Sequence, residues 1–328
     1  MRGTYGPNRP YTKMAARALK LWANYERRWN RRFLHRTGVL WMASGQDDAF
    51  ESGSVKALRA EKIKFQELSS SQMRRRWPQI SFEGIEWGIF EPKCGYLDVR
   101  ASCQAVVEEF VAAGGKYRQA AVLAEGLENG PVRSIALSDG TRLKADAYVF
   151  ACGPWLGRLF PHAVGGLVQT TKQDIFFFGT PAGDDRFGDE HLPVWADHRG
   201  RFRYGIPGRD RRGFKIADDT RGPAFDPTDG ERVVSPETLK EIREYVGFRF
   251  PALKNAPLVE TRVCQYEQTP DSHFIIDRHP TAANVWIVGG GSGHGFKHGP
   301  AVGEMVAELI LKEREADAIW RLARFKNT

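Results

Sequence analysis

The 328-residue sequence predicts a mixed α/β chain of α+β character, and three observations predict it. Short, wholly apolar runs at 147–151 (AYVFA) and 285–288 (VWIV) each lead straight into a glycine-bearing turn, as strands buried on both faces do. Residues 166–230 are aromatic-rich segments divided by Gly, Pro and Asp loops, the pattern of an antiparallel sheet. Elsewhere apolar residues recur at three- and four-residue steps, the helical period.

In chain order, Met14, Ala18, Trp22, Tyr25, Trp29 and Phe33 make an apolar stripe, while Lys13, Arg17, Lys20, Arg27 and Arg31 fall opposite, so the chain opens on an amphipathic helix. A strand at 38–43 (GVLWMA), a helix at 48–62 and a short helix capped at Ser69–Ser71 and ending at Trp77-Pro78 follow. A strand at 87–90 comes next. Asp98 caps a helix whose Ala101, Ala105, Val106 and Phe110 share one face, and Gly114-Gly115 ends it. Strands are expected at 116–122, 132–137 and 141–144, the last two joined by an Asp139-Gly140 turn. The antiparallel region supplies strands at 175–178, 202–206 and 214–217. Ser235-Pro236 starts a helix to about Val246. A last strand at 285–288 passes through the glycine-rich 289–297 into a helix at 300–313.

Charge bounds the function classes. The net charge is +8, yet residues 1–40 hold ten basic side chains against one acid, Glu26, a balance of +9. The other 288 residues carry 38 basic and 39 acidic groups and are therefore nearly neutral. The basic excess is the wet face of one helix rather than a basic surface, which argues against nucleic acid as a partner. No apolar run approaches the ~20 residues of a membrane helix. Four cysteines without CxxC pairing suit a reducing cytosol, so a cytoplasmic protein is expected, with no metal site.

The segment 289–297 (GGGSGHGFK) joins a buried strand to a helix, where clustered glycines admit a ligand to backbone N–H groups. It lacks the GK[ST] ending of a phosphate loop and the second glycine of a GxSxG elbow. A plain glycine turn is the alternative. Lys215 lies in the apolar strand Phe214-Lys215-Ile216, where an inward ammonium costs several kcal/mol unless paired; strand alternation could equally turn it to solvent. Cys264 reads as a small core residue or a reactive thiol, and Tyr204 and Tyr266 read as packing or pocket residues.

Taken together, Val263-Cys264-Gln265-Tyr266, then Asp271-Ser272-His273-Phe274-Ile275-Ile276-Asp277, then Ser292-Gly293-His294-Gly295-Phe296-Lys297 resemble monomeric sarcosine oxidase and N-methyltryptophan oxidase. These are FAD-dependent amine oxidases of the D-amino-acid-oxidase superfamily. The likeness runs back through Tyr204-Gly205-Ile206-Pro207, Phe214-Lys215, Ala151-Cys152-Gly153-Pro154-Trp155 and Trp77-Pro78, nearly the whole chain.

The resemblance implies a thioether link from Cys264 to the flavin and a catalytic role for Lys215 beside it in the reaction with oxygen. It implies substrate-binding roles for Lys297, Arg2, Tyr204 and Tyr266, and cofactor contacts at Val122, Gly153, Trp155, Gly291, Gly293, His294, Gly295, Phe296 and Lys297. It also implies a small amino-acid-like amine as substrate and a monomeric enzyme. The expected plan is an incomplete glutathione-reductase-like FAD-binding domain (1–30, 93–165 and 257–328) and a mainly antiparallel substrate-binding domain (31–92 and 166–256). Relatives take sarcosine, N-methyltryptophan, pipecolate or sugar amines.

One departure stands out. The family opens with a strand, a GxGxxG turn, a helix and a second strand, about 30 residues that seat the pyrophosphate, and none of these is in the sequence. The expectation is a start recorded too late, a truncated gene or a part supplied by another chain, with the strand 285–288 facing the empty position. A remnant without FAD and an amine dehydrogenase are the alternatives to an oxidase.

Overall fold

The computed structural model describes residues 1–210, 212–312 and 314–325. The chain divides into two compact units: Met1–Ala105 with Gln173–Arg221 and Glu231–Cys264, and Val106–Lys172 with Gly222–Gly230 and Gln265–Thr328.

The first unit is built on an eight-stranded sheet. In spatial order its strands are Leu258–Gln268, Gln169–Phe178, Phe214–Asp218, Arg203–Ile206, Val194–Asp197, Val39–Ala43, Trp87–Glu91 and Gln66–Ser69. Residues 169–172 and 265–268 of the first two strands belong to the second unit. Pairing is antiparallel at Arg203–Ile206 with Phe214–Asp218 and parallel at Val194–Asp197 with Val39–Ala43. The strand at 194–197 is an addition to the expected set.

Strand alternation splits these residues between two faces. One face carries Leu40, Met42, Phe90, Phe176, Phe178, Trp195, Phe214 and Ile216, and the helix Pro236–Arg249 covers it with Ile242, Tyr245 and Val246. That helix starts as the sequence predicts, the Ser235 hydroxyl accepting from the Thr238 N–H. On the other face Trp41, Ile89 and Ala196 pack against Val55 and Leu58 of the helix Ala49–Ala60. Farther along that face lie Ile175, Phe177 and Ala217, with Tyr204 and Cys264 beside them.

The opening helix, Arg9–Trp29, buries Tyr11, Met14, Ala15, Ala18, Leu21 and Trp22 and leaves the basic side wet. The stripe is shorter than expected: Asn30 turns left-handed and ends the helix, so Phe33 is buried after it, and Tyr25 and Trp29 are only half-buried.

The second unit holds a three-stranded sheet in the order Ile275–Arg278, Val285–Gly289, Tyr148–Phe150. Val285–Gly289 is central, antiparallel to the first and parallel to the last. This corrects the expectation that residues 285–288 face an empty position. The edge strands of this sheet are Ile275–Arg278 and Tyr148–Phe150. The reading of 147–151 as buried on both faces is corrected with it: Tyr148 and Phe150 enter the core, but Val149 is 47% exposed.

Two further expectations fail, one in this unit and one in a helix divided between the two units. No strand forms over 116–121, where only Val122 bridges Leu137. The helix Val99–Ala112 buries Ser102 and Ala105 but leaves Ala101, Val106 and Phe110 exposed, because no described element lies over that face. The final helix of the second unit, Gly299–Leu311, matches expectation, although residue 313 of the expected span is outside the described residues. No described helix is long and apolar enough to cross a membrane.

Candidate functional site

Within the first unit, Lys215 lies opposite Phe177 and Ile206 in the sheet register. Alternation sends its side chain to the same face as Ala217 and Phe177, away from the Phe214 and Ile216 core. The ammonium is half-buried, 5.4 Å from the centre of the Tyr204 ring, and makes no ion pair with a described residue. A cation over an aromatic face is favourable, which accounts for an unpaired lysine in an apolar strand. The solvent-facing alternative is thereby narrowed to an open, aromatic-lined face.

Cys264 packs at this patch. Burial raises its thiol pKa above the ordinary value, and the charges of Lys215 and Arg262 pull it back in part. Tyr204, Lys215 and Cys264 thus share one sheet face. Arg2 is also in this unit, its guanidinium 4.2 Å from the Tyr5 ring centre and 5.0 Å from that of Trp41, and it donates to the Thr4 carbonyl.

The second unit holds the glycine turn after Val285–Gly289. Gly290 and Gly293 take φ of +71° and +81°, where side chains with a Cβ are disfavoured. A Cβ on Gly293 would stand 2.2 Å from the Tyr266 ring, so this glycine is what lets the tyrosine lie against the turn. His294 stacks on Phe274, ring centres 5.1 Å apart, with Nε2 3.2 Å from the Ser272 carbonyl oxygen. Gly295 begins a tight turn, Phe296 is exposed, and the Lys297 ammonium donates to the His294 carbonyl at 2.8 Å.

A second glycine turn lies in the same unit. Gly153, with φ +55°, has open space where a Cβ would be. Trp155 follows it, part-exposed, its indole N–H donating to Thr228 at 2.9 Å. The two turns meet through Leu156, whose side chain would be struck by a Cβ on Gly289. Val122 bridges Leu137 and is half-buried against the core of this unit.

One residue of this cluster escaped the sequence reading. Glu267 places its carboxyl beneath the glycine turn, Oε1 accepting from the Gly291 N–H at 3.1 Å. Its Oε2 is shut from solvent and has no partner. Burial raises this carboxyl's pKa, the N–H groups of Gly291 and Gly290 offsetting part of the effect. No local signal marks it, since the strand Leu258–Gln268 also carries Glu260 and Arg262.

A strand, glycine turn and helix beside a second glycine turn define an α/β protein built to hold a nucleotide cofactor. The chain matches the FAD dependent oxidoreductase family, DAO, over residues 1–309 and belongs to it. Monomeric sarcosine oxidase of Bacillus sp. (strain B-0618) is 28% identical over 315 residues, 95% of this chain and 80% of that protein. N-methyl-L-tryptophan oxidase of Yersinia pestis (strain Pestoides F) is 25% identical over 336 residues, 99% of this chain and 87% of that protein. Among solved structures, L-proline dehydrogenase from P. horikoshii superposes with a TM-score of 0.87 at 21% identity, over 100% of this chain and 86% of that one. The last likeness bears on fold alone.

Proposed function

We propose that the protein is a sarcosine oxidase-like FAD enzyme that oxidises the C–N bond of a secondary amine, an N-alkyl amino acid, with molecular oxygen as acceptor. The products are an imine, which water hydrolyses to aldehyde and amine, and hydrogen peroxide. The observation that carries the reading is the sheet face shared by Tyr204, Lys215 and Cys264.

The residues present fit the cofactor: the space beside Gly153 and the left-handed glycines at 290 and 293 allow backbone to approach a ligand closely. FAD, when bound, supplies the acceptor for the hydride lost by the carbon next to nitrogen. In this reading the Cys264 thiol is the point of covalent attachment. Lys215, its charge uncommitted to any described carboxylate, stabilises negative charge developing on oxygen. Lys297 and Arg2 bind the substrate carboxylate, and Tyr204 and Tyr266 orient the amine. Val122, Gly153, Trp155 and the 291–297 segment hold the cofactor, within a discontinuous domain of residues 1–30, 93–165 and 257–328. Residues 31–92 and 166–256 serve the substrate. The same reading makes the protein cytoplasmic, and a monomer as the name of its bacterial relative, monomeric sarcosine oxidase, suggests.

The test mixes the purified protein with sarcosine, N-methyltryptophan or pipecolate, first without oxygen and then with it. Bleaching of the flavin band by one amine, and its return on aeration with release of peroxide, are expected. Bleaching reversed only by an artificial acceptor would make the protein a dehydrogenase. No bleaching by any secondary amine would overturn the substrate class.

A further inference from the structure

The carboxyl of Glu267 is enclosed by the glycine turn itself. A Cβ on Gly289 would stand 2.8 Å from Oε2 and one on Gly291 would stand 3.1 Å from Oε1, so two glycines of the turn make room for this side chain. The Ser292 N–H also donates to the Glu267 main-chain carbonyl at 3.0 Å, fixing strand and turn together. Oε1 has its donor in Gly291 and Oε2 has none. A buried acceptor left unpaired is destabilising, and more so if it is charged. The carboxylate adds to burial in raising the pKa of the Cys152 thiol.

We infer that Glu267 is a cofactor-sensing residue, its Oε2 accepting a hydrogen bond from a donor of the flavin nucleotide that the glycine turns take up. The inference rests on the FAD reading above and extends it to a residue the family resemblance does not supply. FAD offers hydroxyl and ring N–H donors, while an ionised carboxylate offers none. The turn therefore penalises its own empty state and an anionic occupant alike, and rewards a ligand rich in donors.

Glu267→Gln separates these effects. With its amide oxygen kept by the Gly291 N–H, the variant puts an NH2 donor where Oε2 was, facing the ligand's donor. The cofactor-free protein should gain thermal stability at neutral pH, because a charge disfavoured by burial is gone. The sign follows from the raised pKa: the wild-type penalty is absent below the carboxyl's unfolded pKa and complete above its folded one. The two proteins should therefore melt alike at acid pH and diverge as pH rises.

Binding is measured in the Cys264→Ser background by quenching of FAD fluorescence. Loss of roughly tenfold to a hundredfold in FAD affinity with Glu267→Gln is expected. Equal affinity overturns the role of Glu267 while the FAD reading stands. No binding by either protein overturns the FAD reading, and this inference with it. Should Glu267→Gln not fold, Glu267→Ala, which leaves no acceptor, answers the same question, with the same weakening expected.

Discussion

The Lys215 ammonium lies 5.4 Å from the centre of the Tyr204 ring, on the sheet face that also carries Cys264. The cation has no described carboxylate to neutralise it, so its field acts on whatever occupies that face. Lys215→Met should slow reoxidation of the reduced flavin by oxygen about a hundredfold or more, the scale seen when one stabilising group is removed from a developing anion. Rapid-mixing absorbance should show reduction by the amine changed far less. Reoxidation at the wild-type rate would remove Lys215 from the chemistry.

The same relationship has a consequence without any cofactor. Burial raises the Cys264 thiol's pKa and Lys215 opposes it, so Lys215→Met should raise it further. The rate of thiol alkylation at Cys264, followed against pH in cofactor-free protein, should show its midpoint displaced upward. A downward displacement would contradict the electrostatic account.

Asp197 and Arg249 form a fully buried pair at 2.6 Å, with Tyr245 donating to the same carboxylate at 2.8 Å and Arg249 donating to the Ser81 carbonyl. Arg249→Met leaves an unpaired buried carboxylate and should cost about 3 to 5 kcal/mol. Tyr245→Phe removes one hydrogen bond to a charged group and should cost about 1.5 to 3 kcal/mol. Denaturant titration measures both, and equal losses would contradict the ranking.

Glu26 gives the stability a pH signature. Burial pushes its carboxyl pKa up, but the N–H groups of Leu34 and Phe33 and the Arg36 guanidinium outweigh this and hold it below the ordinary value. Its contribution is therefore complete above the unfolded pKa, about 4.3, and is lost as pH falls through the lower folded value. Glu26→Gln should lower the melting temperature at neutral pH and converge with wild type in acid. A difference that persists unchanged in acid would rule out the ionised carboxylate as its source.

Much of this was legible in the sequence because local rules agreed with the fold. The Ser235 cap, the Ser69 capping box and the alternation around Lys215 are each decided within a few residues. What failed depended on partners distant in the chain. Phe110 sits at helical spacing with Ala105 and Val106, yet it is exposed, since spacing cannot say whether another element covers a face. Val149 is exposed for the same reason, and the sheet's edges are Ile275–Arg278 and Tyr148–Phe150 rather than residues 285–288. Glu267 was missed because one charge among several in a strand carries no local signal of what it lies beneath. The glycines at 289 and 291 were read as room for a ligand, while in the fold they also make room for this carboxyl.

Retention of flavin by the polypeptide after acid precipitation tests the central claim most directly. The account predicts that wild-type protein keeps its yellow colour in the precipitate and that Cys264→Ser binds FAD but releases it to the supernatant. Colourless wild-type protein, or colour retained equally by Cys264→Ser, would contradict it.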